Sequence, residues 1–203
     1  MENPTAREMI FNTLKDKAIL KQDVFNNLGL NFKVLKSVLK EMADDLRDRM
    51  AKVDDRVKVE YRDKGDYEAH LQVGGDVLIF HMHSNVFQFD SNNSLWKTSY
   101  LKENGNRGFC GIINIYNFLA DSFKYHRVND LGYLIARAFI NKDSHYFVEG
   151  KRQLGFLYND FVNGKIDNET IRKIIESAIL YSMDFDLLTP HYDTMKEVTV
   201  NEV

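Results

Sequence analysis

The feature that most constrains this chain is a change in the period of its apolar residues at Val57. Before that point they recur every three or four residues, the spacing of one helix face. After it they alternate, the spacing of a strand with one face buried. A chain patterned in this way leads to an α+β fold in which helices pack on the apolar face of a sheet.

The first fifty residues carry the helical pattern. Asn3-Pro4 reads as a cap followed by proline at the first helical position, and Met9, Ile10, Leu14 and Ala18 follow at helical spacing. Gly29 punctuates the run. Asn31 suits the cap of a second helix, whose stripe is Leu35, Val38, Leu39, Met42 and Leu46.

Beyond Val57 the alternation predicts an antiparallel meander of four to five strands, at 57–62, 66–73, 76–83, 86–90 and 95–101. Gly74-Gly75 is a two-residue hairpin turn of the kind that needs positive φ, so Val73 opposes Asp76 and Leu71 opposes Leu78. Asp63-Lys64-Gly65 reads as a three-residue loop and Ser84-Asn85 as a further hairpin turn. These registers collect Val57, Val59, Tyr61, Tyr67, Ala69, Leu71, Val73, Leu78, Phe80, Met82, Phe87, Phe89 and Trp96 on a core face. Glu68, His70, Ile79, His81 and His83 fall on the opposite face, which is polar and expected to be wet.

Farther on, Ile112, Ile115, Tyr116, Leu119 and Phe123 suit a helix, although the run 112–118 also fits a buried strand. Residues 131–149 read as a hairpin, and Asp167 or Asn168 caps an amphipathic helix running through Ile179. No linker or repeat interrupts the chain, so residues 1–203 are expected to form one domain: a helical region at 1–52, an α+β core at 57–185 and a loose tail at 188–203.

Composition narrows the function classes. Apolar residues make up 44% of the chain, enough for a core and too many for disorder. A net charge of -3 argues against nucleic acid as partner. The single cysteine, Cys110, allows no internal disulfide. No apolar run reaches the roughly 18 residues of a membrane span, and the start lacks a signal-peptide pattern, so a soluble, cytoplasmic protein with no membrane partner is expected.

The candidate chemistry lies on the polar face. The Gly74-Gly75 register sets Glu68 opposite His81 and Asp66 opposite His83, with Cβ atoms about 5 Å apart. Two imidazoles beside a carboxylate are a ligand set for a divalent metal such as zinc: His81, His83 and Glu68 would hold the ion, and Asp66 would act as general base to a bound water. That chemistry also needs a concave wall, which a plain sheet face lacks and which the 131–149 hairpin or another subunit would have to supply. Opposite-charge pairing on a solvated sheet is the simpler account of the same residues.

Two further motifs are weaker. Lys21–Met42 has the outline of a helix-turn-helix presenting Asn31, Lys33, Lys36, Ser37 and Lys40, but Asp44, Asp45 and Asp48 follow at once. Cys110 between Gly108 and Gly111 reads as a small buried thiol rather than a nucleophile served by His126 or His145. The function expected is a non-catalytic ligand-binding or assembly domain, homo-oligomeric through its N-terminal helices, with a metal-dependent hydrolase as the alternative.

Overall fold

The structure is a computed structural model that describes residues 4–185 and 191–197. It begins with an unbroken helical rod made of α1 (Ala6–Thr13), a π-helical turn (Leu14–Ala18) and α2 (Ile19–Met50). Thr5 is the N-cap, in a reciprocal capping box with Glu8. The cap expected at Asn3 lies outside the described residues. Gly29 does not break the rod, and Asn31 sits inside it, its amide donating to the Asn27 carbonyl. One glycine lowers helix propensity by only about 1 kcal/mol. The buried stripe Leu20, Val24, Leu28, Phe32, Leu35, Val38, Leu39 and Met42 more than offsets it.

The sheet follows as β1 (Val59–Asp63), β2 (Glu68–Val73), β3 (Asp76–Met82) and β4 (Phe87–Gln88). Then come α3 (Ser99–Glu103), β5 (Phe109–Leu119), α4 (Ala120–Lys124), β6 (Tyr133–Asn141) and β7 (Tyr146–Gly150). The helices α5 (Gln153–Phe156), α6 (Asn168–Met183) and α7 (Tyr192–Met195) close the chain. Within the expected loose tail Tyr192–Met195 is a helical turn, and residues 188–190 and 198–203 lie outside the described residues. The strands pair in the order β1-β2-β3-β5-β6-β7, all antiparallel, with β4 pairing to β5.

The β2/β3 hairpin has the register expected of Gly74-Gly75, with Val73 opposite Asp76 and Glu68 opposite His81. Only Gly74 of the two has positive φ, at 60°. The β1/β2 loop is longer than expected: Lys64 N–H bonds to the Glu68 carbonyl, and Tyr61 opposes Leu71, not Tyr67. Lys36 of α2 draws the loop in by bonding both the Asp63 carboxylate and the Gly65 carbonyl. The slip is four residues, an even number, so each side chain keeps its face.

The segment that suited a helix, 112–123, is instead mostly strand β5, rich in β-branched Ile112, Ile113 and Ile115. It takes the free edge of β3, with Met82 opposite Ile113, and so displaces β4. The Ser84-Asn85 hairpin therefore does not form, and Phe87 pairs with Cys110. Gly111 lets β5 approach α2, since a Cβ there would stand 2.5 Å from Leu28 Cδ2. The expected strand at 95–101 is a 3₁₀ turn (Ser94–Lys97) leading into α3; Asn93 and Thr98 cap the two segments.

One face of the sheet packs on α2 and α6 through Val59, Leu71, Leu78, Phe80, Ile113, Ile115, Ile140 and Val148. The Asp167 side chain caps α6 as expected. Tyr67, Val57 and Phe87 are exposed rather than in this core, and Phe89 and Trp96 pack in a second cluster on the opposite face with Leu101, Cys110, Ile112, Phe139 and Phe161. That opposite face is thus not simply wet. His70 and Ile79 are buried on it, with the Phe123 ring of α4 5.9 Å from His70.

Candidate functional site

Between these two covered patches the outer face stays open, and there a single row of polar residues crosses five strands. Glu68 opposes His81, His81 opposes Asn114, Asn114 opposes Arg137 and Arg137 opposes Glu149. Neighbouring strands are about 4.8 Å apart, so the row runs about 19 Å across the sheet. On one side of it Ile112, Phe139 and Phe147 oppose one another in the adjacent row. On the other side Ile79 faces Tyr116, and Tyr116 faces Leu134.

Two local features make the floor concave. An irregularity in the β5/β6 pairing after Ile115 makes Ile135 an extra residue, so that Leu134 and Arg137, three apart, both line one cleft. The chain after β4 then climbs off the sheet and forms a wall with Phe87, Phe89, Asp90 and Asn93. Trp96 anchors this wall, its indole N–H donating to the Asp90 carbonyl at 2.9 Å while its ring lies against Gly108, where a Cβ would stand 2.7 Å away. The result is a cleft of about 450 Å³, lined also by His83, Asn114, Tyr116, Phe139 and Glu149.

Asparagines show which polar groups are structural and which are not. Asn141 is fully buried; its amide donates to the Tyr100 hydroxyl and the Arg107 carbonyl, and its oxygen accepts from the N–H groups of Asp143 and His145. Asn117 donates to the Asp76 carboxylate at 2.9 Å. Asn114 is 92% buried, being 8% exposed, and lines the cleft, yet its amide has no hydrogen-bond partner among the described residues. Its amide opens on the cleft and presents unused donors and an acceptor to whatever fills it, whereas among the described residues the fully enclosed side-chain atom left without a partner is Oδ1 of Asn117.

The remaining polar groups are held. Arg137 bonds the Glu149 carboxylate through two nitrogens and lies over the Phe139 ring, 5.3 Å from its centroid. Phe139 and Phe147 stack with centroids 4.6 Å apart. The Asp90 carboxylate accepts from Asn92 N–H. Cys110, on the cleft floor, is buried, and desolvation pushes its thiol well above the usual range, so it stays protonated. His145 donates from Nδ1 to the Phe161 carbonyl and stacks on Tyr100, while His126 is an exposed turn residue at φ 53°. His145 is thus held by the surrounding structure, and neither ring lines the cleft.

Of the four residues expected to form a metal site, His81 and His83 remain neighbours, with ring centroids 6.5 Å apart, but Glu68 and Asp66 do not complete a site with them. Glu68 stands opposite His81 in register, but its carboxylate turns along its own strand and bonds His70 Nε2 at 2.6 Å. Asp66 lies before β2, in the β1/β2 loop, and is exposed; the predicted Asp66–His83 pair is replaced by a backbone bond from Met82 to Tyr67. His83 Nδ1 accepts from Asn85 N–H, and its ring sits edge-on to Phe87 at 4.8 Å. A neutral imidazole that accepts at Nδ1 carries its proton on Nε2, which leaves no free lone pair for a metal. Among the described residues no group of three or more His, Cys, Asp and Glu is arranged to hold a metal ion. The helix-turn-helix outline is likewise absent: Lys36 and Lys40 lie on one continuous helix and pair with Asp63 and Asp44.

Sequence reasoning had His81, His83 and Glu68 on the open face but missed Asn114, Tyr116, Arg137 and Glu149. The signal was present in the 131–149 hairpin, whose Arg137 and Glu149 share one side. It could not be used while 112–123 read as a helix. Among the described residues no helix is long and apolar enough to cross a membrane. No protein-family profile, curated protein or solved structure matches the chain.

Proposed function

We propose that this protein is a non-catalytic ligand-binding domain, and that the cleft on the open face of the sheet takes a small, uncharged molecule bearing hydroxyl or amide groups and one flat apolar face. The observation that carries this reading is the Asn114 amide, which opens on the cleft with no hydrogen-bond partner among the described residues. Phe87, Phe89, Phe139 and Phe147 line the cleft with apolar surface. Arg137 is compensated by Glu149, so the cleft holds no uncompensated cation to select an anion. The absence of catalysis is supported by the engagement of its reactive groups: a protonated thiol at Cys110, a histidine bonded by Asn85 and a carboxylate bonded by Arg137. A cytoplasmic setting goes with this reading, supported by a lone cysteine that is buried and free.

The test is Asn114→Leu. A residue kept for binding rather than folding should be dispensable to the fold, so the variant is expected to be as stable as the parent or up to about 1 kcal/mol more stable in urea unfolding. Saturation-transfer NMR against a panel of neutral saccharides and nucleosides should show binding to the parent that the variant loses. Destabilisation by more than about 1 kcal/mol would make Asn114 a structural residue and remove the reading.

A further inference from the structure

A second groove, of about 770 Å³, lies between the β1 edge of the sheet and α4. Gln72 and Val77 lie on its floor beside the Gly74-Gly75 turn, to which α4 is tied by a bond from Ala120 N–H to the Gly75 carbonyl. Arg56, Lys58 and Arg62 line it from the β1 side, and Lys124 and Arg127 from the α4 side. The end of α4 places the last two. Arg127 N–H bonds to the Ser122 carbonyl and His126 N–H to the Phe123 carbonyl, the pair of bonds that closes a helix through one residue of positive φ, here His126 at 53°. Lys124 and Arg127 then both lie over the Tyr125 ring, 4.7 and 5.4 Å from its centroid.

What sets this groove apart is which of its cations are neutralised. Arg56 is paired with Asp54 and Arg62 with Glu60, but Lys58, Lys124 and Arg127 have no carboxylate partner. Among the described residues every arginine other than Arg7 and Arg127 is ion-paired. An aromatic ring positions a cation without cancelling its charge. Asp121 is the one carboxylate among the described residues that line the groove, so three unpaired cations less one unpaired anion leave two positive charges facing a ligand.

We infer that this groove binds a small ligand carrying two or more linked phosphate groups. Two uncompensated charges favour a polyanion over a singly charged ion. A guanidinium fork beside ammonium groups suits the oxygens of a phosphate chain. The volume is that of a small-molecule site. A nucleic-acid strand would need a basic track along many phosphates, whereas the excess charge is confined to one groove of a chain whose net charge is -3. The site is separate from the cleft at Asn114, where Glu149 neutralises Arg137. Because the three unpaired cations are exposed, binding here should weaken as salt rises.

An NMR titration of the full chain with inorganic tripolyphosphate at low ionic strength tests this. Binding is expected in the micromolar range, with the Gly74, Gly75 and Arg127 amide signals moving, and orthophosphate should bind at least about tenfold more weakly. Lys124→Gln/Arg127→Gln, which alters only exposed side chains, should weaken tripolyphosphate binding by about 30-fold or more. Lys33→Gln/Lys102→Gln removes the same charge from exposed sites outside the groove and should change binding by less than about twofold. Asp121→Asn, which removes the groove's own carboxylate, should tighten binding by about threefold. A parent that binds no tripolyphosphate at millimolar concentration, a Lys124/Arg127 variant that binds as the parent does, or a Lys33/Lys102 variant that loses as much would overturn the groove as the site. Citrate binding as tightly as tripolyphosphate would overturn phosphate as the recognised group, and a single-stranded oligonucleotide binding more tightly would overturn the small ligand.

Discussion

The two faces of this sheet are made from the same strands and have opposite fates. On the inner face Phe80, Ile113, Ile115 and Ala138 are sealed by α2 and α6. One residue away along those strands, His81, Asn114 and Arg137 form a row that no helix covers. Strand alternation accounts for the sorting of side chains, but coverage depends on what is packed above. On the outer face α4 covers one end and the 89–103 segment the other, leaving the middle open. A cleft can thus arise on a sheet without any change in the strands that floor it.

The comparison predicts an ordered set of effects. Phe80→Ala, in the sealed face, should cost about 3–5 kcal/mol in urea unfolding, whereas Phe147→Ala beside the open row should cost about 1–2 kcal/mol. Equal losses would mean that the outer face is packed as tightly as the inner.

His70 probes the covered end of the outer face. Burial there, more than any charge, lowers its pKa below 6.5, with the Glu68 bond opposing the shift. The unfolded chain therefore binds the proton more readily. Its contribution to stability is fully present above about pH 6.5 and is lost as the pH falls through the lower folded value. His70→Gln should flatten the stability profile in that acid range relative to the parent; an unchanged slope would show that α4 does not shield the ring.

The smallest effect is expected from Arg137→Gln. Its pair with Glu149 is largely exposed, so the loss should stay below about 1 kcal/mol and should shrink further in high salt. A larger, salt-independent loss would mean that the row itself helps to hold the sheet.

Much of this was readable one residue at a time. Gly74-Gly75 specified its hairpin because two glycines between alternating strands leave few other registers, and Asp167 specified the start of α6 because its side chain bonds the Thr170 N–H locally. The open row was not readable, because it depends on β5. The apolar run from Ile112 to Phe118 satisfies helical spacing and a doubly covered strand equally well. Reading it as a helix removed Asn114 from between His81 and Arg137 and left the two histidines with no neighbours but each other's carboxylates.

By itself the sequence determined what short-range geometry can impose: the helical character of the first fifty residues, the β2/β3 register, the β6/β7 hairpin, the cap of α6, and which side chains of β1 to β3 share a face. The tertiary structure alone decided that β5 inserts at the edge of β3, that Lys36 reaches the β1/β2 loop, that Glu68 turns to His70, and that Asn114 has no partner. The reason is physical. Periodicity and turn chemistry act over a few residues, whereas strand order, coverage and the satisfaction of a buried amide depend on groups that meet only after distant segments pack.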